Sequence, residues 1–354
     1  MTEKGQSRVR VHLIVGARPN FVKIGPLWRV LSNSSWCEPV IVHTGQHYDL
    51  NMSDWMFRDL GLPAPHHHLN AQTGSHARVT GSVMVAYEAL CLEQDRPDWV
   101  VVVGDVDSTI ACALTAKKLG LPVAHLEAGL RSFDRSMPEE INRVLTDSIA
   151  DLLWTPSADA DENLAREGIG AERIERVGNI MIDALVNLET AVDAYDLTPD
   201  LGFALPEVYG VVTLHRPSNV DAPKILREIV DRLCVAARQA FLLFPVHPRT
   251  AKALEREGLD ALLADAGVRM IPPCSYLPFM ALIKKAAFLL TDSGGIQEEA
   301  SYLGIPCLTL RNSTERPITL SLGTNRLIGV GDIEGAVAQA LLHRRRPATI
   351  PLWD

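Results

Sequence analysis

Thr291-Asp292-Ser293-Gly294-Gly295-Ile296-Gln297-Glu298-Glu299 decides how this chain is read. An apolar, strand-like run at 286–290 precedes it, and a helix-forming stretch follows as far as Gly304. Small residues between a strand and a helix let backbone N–H groups and the positive helix end meet a phosphate. Glu299 falls two turns into that helix, where a carboxylate can accept hydrogen bonds from ribose hydroxyls. The same residues also read as an ordinary helix start, capped by Asp292 or Ser293, with glycines for tight packing. The rest of the chain has to choose between the two.

Outward from this stretch, short apolar runs alternate with longer helix-like segments, the pattern of parallel sheets covered by helices. In the first half the strands fall at 11–15, 39–43, 99–103, 123–126 and 152–155. A second series falls at 208–214, 241–246, 269–271, 288–290 and 307–310. Between them 179–195 reads as helix, and Leu197-Thr198-Pro199-Asp200 with Leu205-Pro206 reads as a crossing between domains. The 354 residues therefore divide into two α/β domains, 1–183 and 184–354. Ligands of open α/β sheets bind outside the carboxyl ends of the strands, and the expected site is the cleft between the domains.

Composition narrows the function. A net charge of −9 disfavours a nucleic-acid-binding face. No apolar run approaches the ~20 residues that span a bilayer, and the polar N-terminus lacks a signal-peptide core. A cytoplasmic protein that neither enters membranes nor binds nucleic acid is expected. Cys37, Cys91, Cys112, Cys234, Cys274 and Cys307 are scattered without a Cys-x-x-Cys pair and read as free thiols, mostly in the core. His66-His67-His68 reads as a loop, because neighbours on an extended segment point to opposite faces and cannot share one ion.

Polar motifs follow several strand ends. Gly16-Ala17-Arg18-Pro19-Asn20-Phe21-Val22-Lys23 offers a forked donor in Arg18 and a point charge in Lys23. Cations at a helix start are misplaced unless an anion binds there. The stretch is neither G-x-G-x-x-G nor a P-loop. Gly104-Asp105-Val106-Asp107 puts carboxylates at a buried strand end, where each reads equally as acid–base group or N-cap. His125-Leu126-Glu127-Ala128-Gly129-Leu130-Arg131 carries another. In Pro138-Glu139-Glu140-Ile141-Asn142-Arg143 a Pro opens a helix with two acids in its first turn, where Glu140 reads as a response to the helix dipole. Thr213-Leu214-His215-Arg216-Pro217 places a His-Arg pair where a diphosphate could depart, and His247 is a less specific echo.

Taken in order, these motifs, with His43-Thr44-Gly45-Gln46-His47-Tyr48-Asp49, His215-Arg216-Pro217-Ser218-Asn219, residues 292–299 and Thr314-Glu315-Arg316-Pro317, resemble the non-hydrolysing UDP-N-acetylglucosamine 2-epimerases over nearly the full length. The resemblance implies two Rossmann-like domains with parallel sheets in a glycosyltransferase-B-like arrangement. It implies a reaction needing no cofactor, neither NAD nor metal, in which UDP-GlcNAc loses its C2 proton and UDP, and UDP re-adds to give UDP-ManNAc. By family position Asp105, Glu127 and Glu139 are the catalytic carboxylates, joined by His215. Arg18, His215, Ser293, Gly294 and Gly295 hold the diphosphate, Glu299 the ribose, and Phe279 the uracil; Lys23 and Arg316 are further substrate-binding candidates. The partners implied are the UDP-sugar, UDP and a second copy in a homodimer, and the product feeds polysaccharide biosynthesis.

The chain departs from the family at several points. It has Gly-Ala-Arg-Pro-Asn where relatives often have Gly-Thr-Arg-Pro-Glu, and Pro-Ser-Asn after His215-Arg216 where they often have Arg-Glu-Asn. Relatives with similar Gly-Ala-Arg-Pro and Thr-Gly-Gln-His segments act on UDP-2,3-diacetamido-2,3-dideoxyglucuronic acid, which makes that sugar the alternative substrate. A glycosyltransferase of the same fold is a further alternative, disfavoured by three carboxylates suited to proton transfer. Relatives also continue past the position of Asp354 into a C-terminal helix, with an expected bearing on domain closure.

Overall fold

A run such as Trp99-Val-Val-Val-Val, β-branched and buried on both faces, suits the interior of a parallel sheet. The computed structural model describes residues 8–45, 59–342 and 347–353, with the side chain of Arg18 outside the description. It divides into two compact units, Met1–Asn187 and Leu188–Trp353.

The first unit holds strands β1 (Val9–Val15), β2 (Cys37–His43), β3 (His67–His68), β4 (Trp99–Val103), β5 (Val123–Leu126), β6 (Leu152–Thr155) and β7 (Ile174–Arg176). They lie in the order β3-β2-β1-β4-β5-β6-β7, and every pairing is parallel. The helices His76–Glu93, Asp107–Lys118 and Pro138–Ile149 pack in sequence against one another. Ile14, Val42, Tyr87, Val100, Val102, Val123 and Leu153 are among the residues that fill the core beneath them.

The second unit repeats the plan with β8 (Tyr209–Thr213), β9 (Phe241–Pro245), β10 (Arg269–Ile271), β11 (Phe288–Thr291), β12 (Cys307–Thr309) and β13 (Asn325–Leu327). The order β10-β9-β8-β11-β12-β13 is the doubly wound 3-2-1-4-5-6 pattern of a Rossmann fold. Val212, Leu226, Phe244, Phe288, Leu290 and Leu308 belong to its core. Both sheets reverse direction of growth next to their first strand. Each therefore opens a crevice at the carboxyl ends of two strands, β1 and β4 in one unit and β8 and β11 in the other.

All ten strands read from the sequence are present, with ends shifted by a residue or two. β3, β7 and β13 are additions. The His66-His67-His68 loop is corrected in part, since His67 and His68 form the edge strand β3 beside Val42 and His43. Its histidines do part company as expected: His66 Nδ1 accepts from the Ile41 N–H at 3.0 Å, His67 Nε2 meets Asp95 at 2.8 Å, and His68 stacks edge-on to His43. All six cysteines are free thiols, four of them buried.

Candidate active site

In the first unit the crevice between β1 and β4 collects the Gly16 and Gly104 turns. Asn20, in the first turn of the Arg18–Ser32 helix, ties them together. Its Oδ1 accepts from the N–H groups of Gly16 and Ala17 at 3.1 and 2.9 Å, and its Nδ2 donates to the Val103 carbonyl at 2.9 Å. Only an amide does both, because a carboxylate has no proton for that carbonyl.

One turn further along the helix, Lys23 donates to Glu127 Oε2. Both side chains are buried, and Glu127 holds a left-handed backbone, φ +73°, an uncommon conformation for a residue with a side chain. Asp105 is more open, 30 % exposed at its side chain, and its Oδ2 receives the buried Arg143 guanidinium at 2.5 Å. Asn142 Nδ2 donates to the Asp105 carbonyl at 2.9 Å. Glu139 is half-buried in the first turn of the Pro138–Ile149 helix. It lies three and four residues before Asn142 and Arg143, on the helix face turned to Asp105.

Two readings from the sequence are corrected here. Glu140 does more than meet the helix dipole. Its buried carboxylate accepts from the Ser132 and Phe133 N–H groups at 2.9 Å each, from Ser132 Oγ at 3.1 Å and from Arg143 at 2.7 Å. Asp107 is not an N-cap, since Val106 holds that position; its carboxylate meets His76 Nδ1 at 2.8 Å and Asn142 at 3.3 Å.

In the second unit the crevice between β8 and β11 is organised by Asp292, which is wholly buried. The chain enters the following helix through Gly294, so neither Asp292 nor Ser293 is the cap. Asp292 instead accepts from the His215 N–H at 3.0 Å, the Arg216 N–H at 2.9 Å, Asn219 Nδ2 at 3.0 Å and His215 Nδ1 at 2.9 Å. Burial raises its carboxyl, but these donors outweigh that and hold it below the usual range. The pairing through Nδ1 fixes the His215 ring, which is 40 % exposed.

Ser293 donates its N–H to Thr291 Oγ1 at 3.0 Å and accepts at its carbonyl from Gln297 Nε2 at 2.9 Å. Gly295 opens the helix Gly295–Leu303. At Gly294 a Cβ would stand 2.3 Å from Glu315 Oε1 and 2.9 Å from an Arg316 amino group, so any side chain here would have to displace that buried ion pair. Arg316 is buried, bound to Glu298 at 2.9 Å and Glu315 at 2.7 Å. Glu299 is buried and accepts from the Tyr276 hydroxyl at 2.8 Å. Burial, with Glu298 beside it, pushes its carboxyl up to about 7 against the pull of Tyr276 and Arg316. Phe279 is half-buried one turn after Tyr276 in the Tyr276–Lys285 helix, on the same face.

The structure thus groups Lys23, Asp105, Glu127 and Glu139 in one unit and His215, Phe279, Ser293, Gly294, Gly295, Glu299 and Arg316 in the other. The segment 46–49 of the second motif lies outside the described residues. Asp292, Asn219, Arg143 and Tyr276 were missed as site residues. Asn219 and Arg143 sat inside quoted motifs, and Asp292 was read only as a cap. Among the described residues no group of three or more His, Cys, Asp or Glu is placed to hold a metal ion, and no helix is long and apolar enough to cross a membrane.

The family model for UDP-N-acetylglucosamine 2-epimerase matches residues 29–350. The chain belongs to that family. It is an enzyme of the nucleotide-sugar epimerase type. A Methanocaldococcus jannaschii protein named UDP-N-acetylglucosamine 2-epimerase is 43% identical over 328 residues, 91% of this chain and 88% of that protein. A Pseudomonas aeruginosa protein named UDP-2,3-diacetamido-2,3-dideoxy-D-glucuronate 2-epimerase is 40% identical over 324 residues, 91% of this chain and 88% of its own length. The crystal structure of the M. jannaschii UDP-GlcNAc 2-epimerase in complex with UDP-GlcNAc and UDP superposes with a TM-score of 0.90 at 40% identity, covering 97% of this chain and 96% of that one. Two Rossmann-like units in one chain are the glycosyltransferase-B-like fold class expected of the family.

Proposed function

We propose that this enzyme interconverts UDP-GlcNAc and UDP-ManNAc by elimination and re-addition of UDP. The first unit supplies the acid–base groups for the sugar, and the second supplies the grip on UDP. The observation that carries this reading is the set of carboxylates Asp105, Glu127 and Glu139, two of them held by cations, in a member of this family.

A carboxylate takes the C2 proton, the C–H electron pair becomes the C1–C2 double bond, and the C1–O bond breaks with its pair leaving on UDP. A protonated carboxyl then delivers a proton to the opposite face of C2 while the UDP oxygen returns to C1. No electrons are gained or lost overall. The departing diphosphate needs donors aimed at its growing charge. His215, oriented by Asp292, and the N–H groups at the start of the Gly295–Leu303 helix are suited to that task, with Arg18 as a further donor. Glu299, with Tyr276 on one oxygen, accepts from the ribose, and Phe279 lies against the uracil. The working form is a cytoplasmic homodimer.

NMR with UDP-GlcNAc in D2O, with no acceptor, NAD or metal added, tests the reading. UDP-ManNAc carrying deuterium at C2 is the expected product; a new glycoside formed only with an added acceptor would make the protein a glycosyltransferase. The near-equal identity to the P. aeruginosa relative favours a second reading, UDP-2,3-diacetamido-2,3-dideoxyglucuronic acid as substrate. Exchange at C2 with that nucleotide alone would select it.

A further inference from the structure

We propose that His125 is a positioning residue for this chemistry, fastening together the three segments that carry Asp105, Glu127 and Glu139; this rests on the function proposed above. His125 is on β5, two residues before Glu127, and is wholly buried. Its Nε2 lies 2.8 Å from the carbonyl of Gly104, the residue before Asp105. A carbonyl only accepts, so that nitrogen carries the hydrogen. Its Nδ1 lies 2.6 Å from Asp147 Oδ1. Asp147, also wholly buried, belongs to the same Pro138–Ile149 helix as Glu139, two turns further on.

The second oxygen of Asp147 carries the connection onward. It accepts from the Gly129 N–H at 3.1 Å and from Arg131 at 2.7 Å. Arg131 is anchored in turn by Glu167 at 2.7 Å. Burial raises the Asp147 carboxyl, but His125 and Arg131 more than reverse this and keep it below its usual range. Gly129 follows Glu127 by two residues. A Cβ there would stand 2.5 Å from the Ala160 carbonyl, and its φ is +80°, so the turn carrying Glu127 is closely fitted on both sides.

A pair of this kind is a poor way to gain stability, since apolar groups of the same volume often stabilise as well or better. It does fix geometry. Proton removal on one face of C2 and return on the other need groups held within a fraction of an ångström. A misplacement of about 1 Å costs on the order of 10²-fold in rate.

The test compares His125→Phe, which fills the volume without hydrogen bonds, with His125→Gln, which keeps an N–H able to reach Gly104. Steady-state turnover and UDP affinity are measured on the full chain. His125→Phe is expected to lower kcat on the order of 10²-fold, with KM and the Kd for UDP within about threefold of wild type. His125→Gln is expected to recover roughly tenfold of that loss. A folded His125→Phe with kcat within about threefold of wild type overturns the proposal, as does a loss shared equally by UDP affinity, which would make His125 a packing residue. Should His125→Phe fail to fold, Asp147→Asn takes its place, with the same kcat-only loss expected and unchanged kcat overturning the proposal. C2 exchange by wild type, run alongside, tests the function itself. A wild type that exchanges and a variant that keeps pace with it separate failure of this proposal from failure of that reading.

Discussion

Asp105 and Glu127 sit on neighbouring strand ends but hold different partners, a guanidinium from Arg143 and an ammonium from Lys23. An acid–base role for Asp105 predicts that Asp105→Asn lowers kcat by about 10²- to 10⁴-fold while UDP binding by calorimetry is unchanged; wild-type turnover would remove Asp105 from the mechanism. Glu299 makes a pH prediction. Its raised carboxyl, about 7 against 4.5, stabilises the unliganded fold most below pH 4.5, and that contribution is lost as the pH rises through 7. Ribose binding calls on the ionised form, so UDP-GlcNAc affinity is expected to fall roughly tenfold from pH 8 to pH 6, and Glu299→Gln is expected to flatten the dependence. An equally steep profile in that variant would refute the assignment. At Gly294, substitution by Ala drives a methyl into Glu315 and Arg316. A loss of about 1–3 kcal/mol in stability is expected, read from denaturant midpoints, together with weaker UDP binding.

At this scale the sequence was half informative. Asp105, Glu127 and His215 stand out because each follows a strand in a recognisable motif, and Glu299 because it lies within the helix that the 291–299 motif leads into. Their partners do not. Lys23 reaches Glu127 across 104 positions and His125 reaches Asp147 across 22. No local spacing reports such pairings, since the sheet order that makes them is not a local property.

At the scale of elements, apolar content decided what was legible. The run 99–103 announces itself through four valines, and even the three-residue β10 and β12 carry apolar pairs, Met270-Ile271 and Cys307-Leu308. By contrast, β3, β7 and β13 hold at most one apolar residue each, too few for a strand pattern to register. β1 buries a less obvious passenger. His12 is wholly enclosed, with Nδ1 at 3.2 Å from the Tyr87 hydroxyl and Nε2 at 3.5 Å from Asp95. Burial lowers its pKa from 6.5 to about 4, against the pull of Asp95. The unfolded chain therefore binds the extra proton between those values, and stability falls as the pH drops from 6.5 to 4, by about 3 kcal/mol. Denaturant midpoints of wild type and His12→Phe across that range check it. The variant should start lower and slope less, and parallel slopes would assign the acid sensitivity elsewhere.

The whole molecule is two units, each with its own sheet and core. If the second unit grips UDP, UDP alone should slow amide exchange at the ends of β8 and β11 and in the Gly295–Leu303 helix. At a hundredfold excess over Kd it should add about 2.7 kcal/mol to that unit's stability. Protection by UDP confined to the first unit would contradict the placement. The two-unit plan was legible at this scale because both halves show the same alternation of apolar runs and helices, whereas the strand order that opens the crevices came only from the structure.

Every strand of the first sheet comes from the chain before Asn187. During synthesis the first unit thus has its full complement of strands while the second is still being made. At about 5–20 residues per second, that interval is on the order of ten seconds or more. Parallel sheets, with their distant pairings, are slow to form. The ribosome allows the seven-stranded first sheet to assemble before the six-stranded second one appears to compete for its edges.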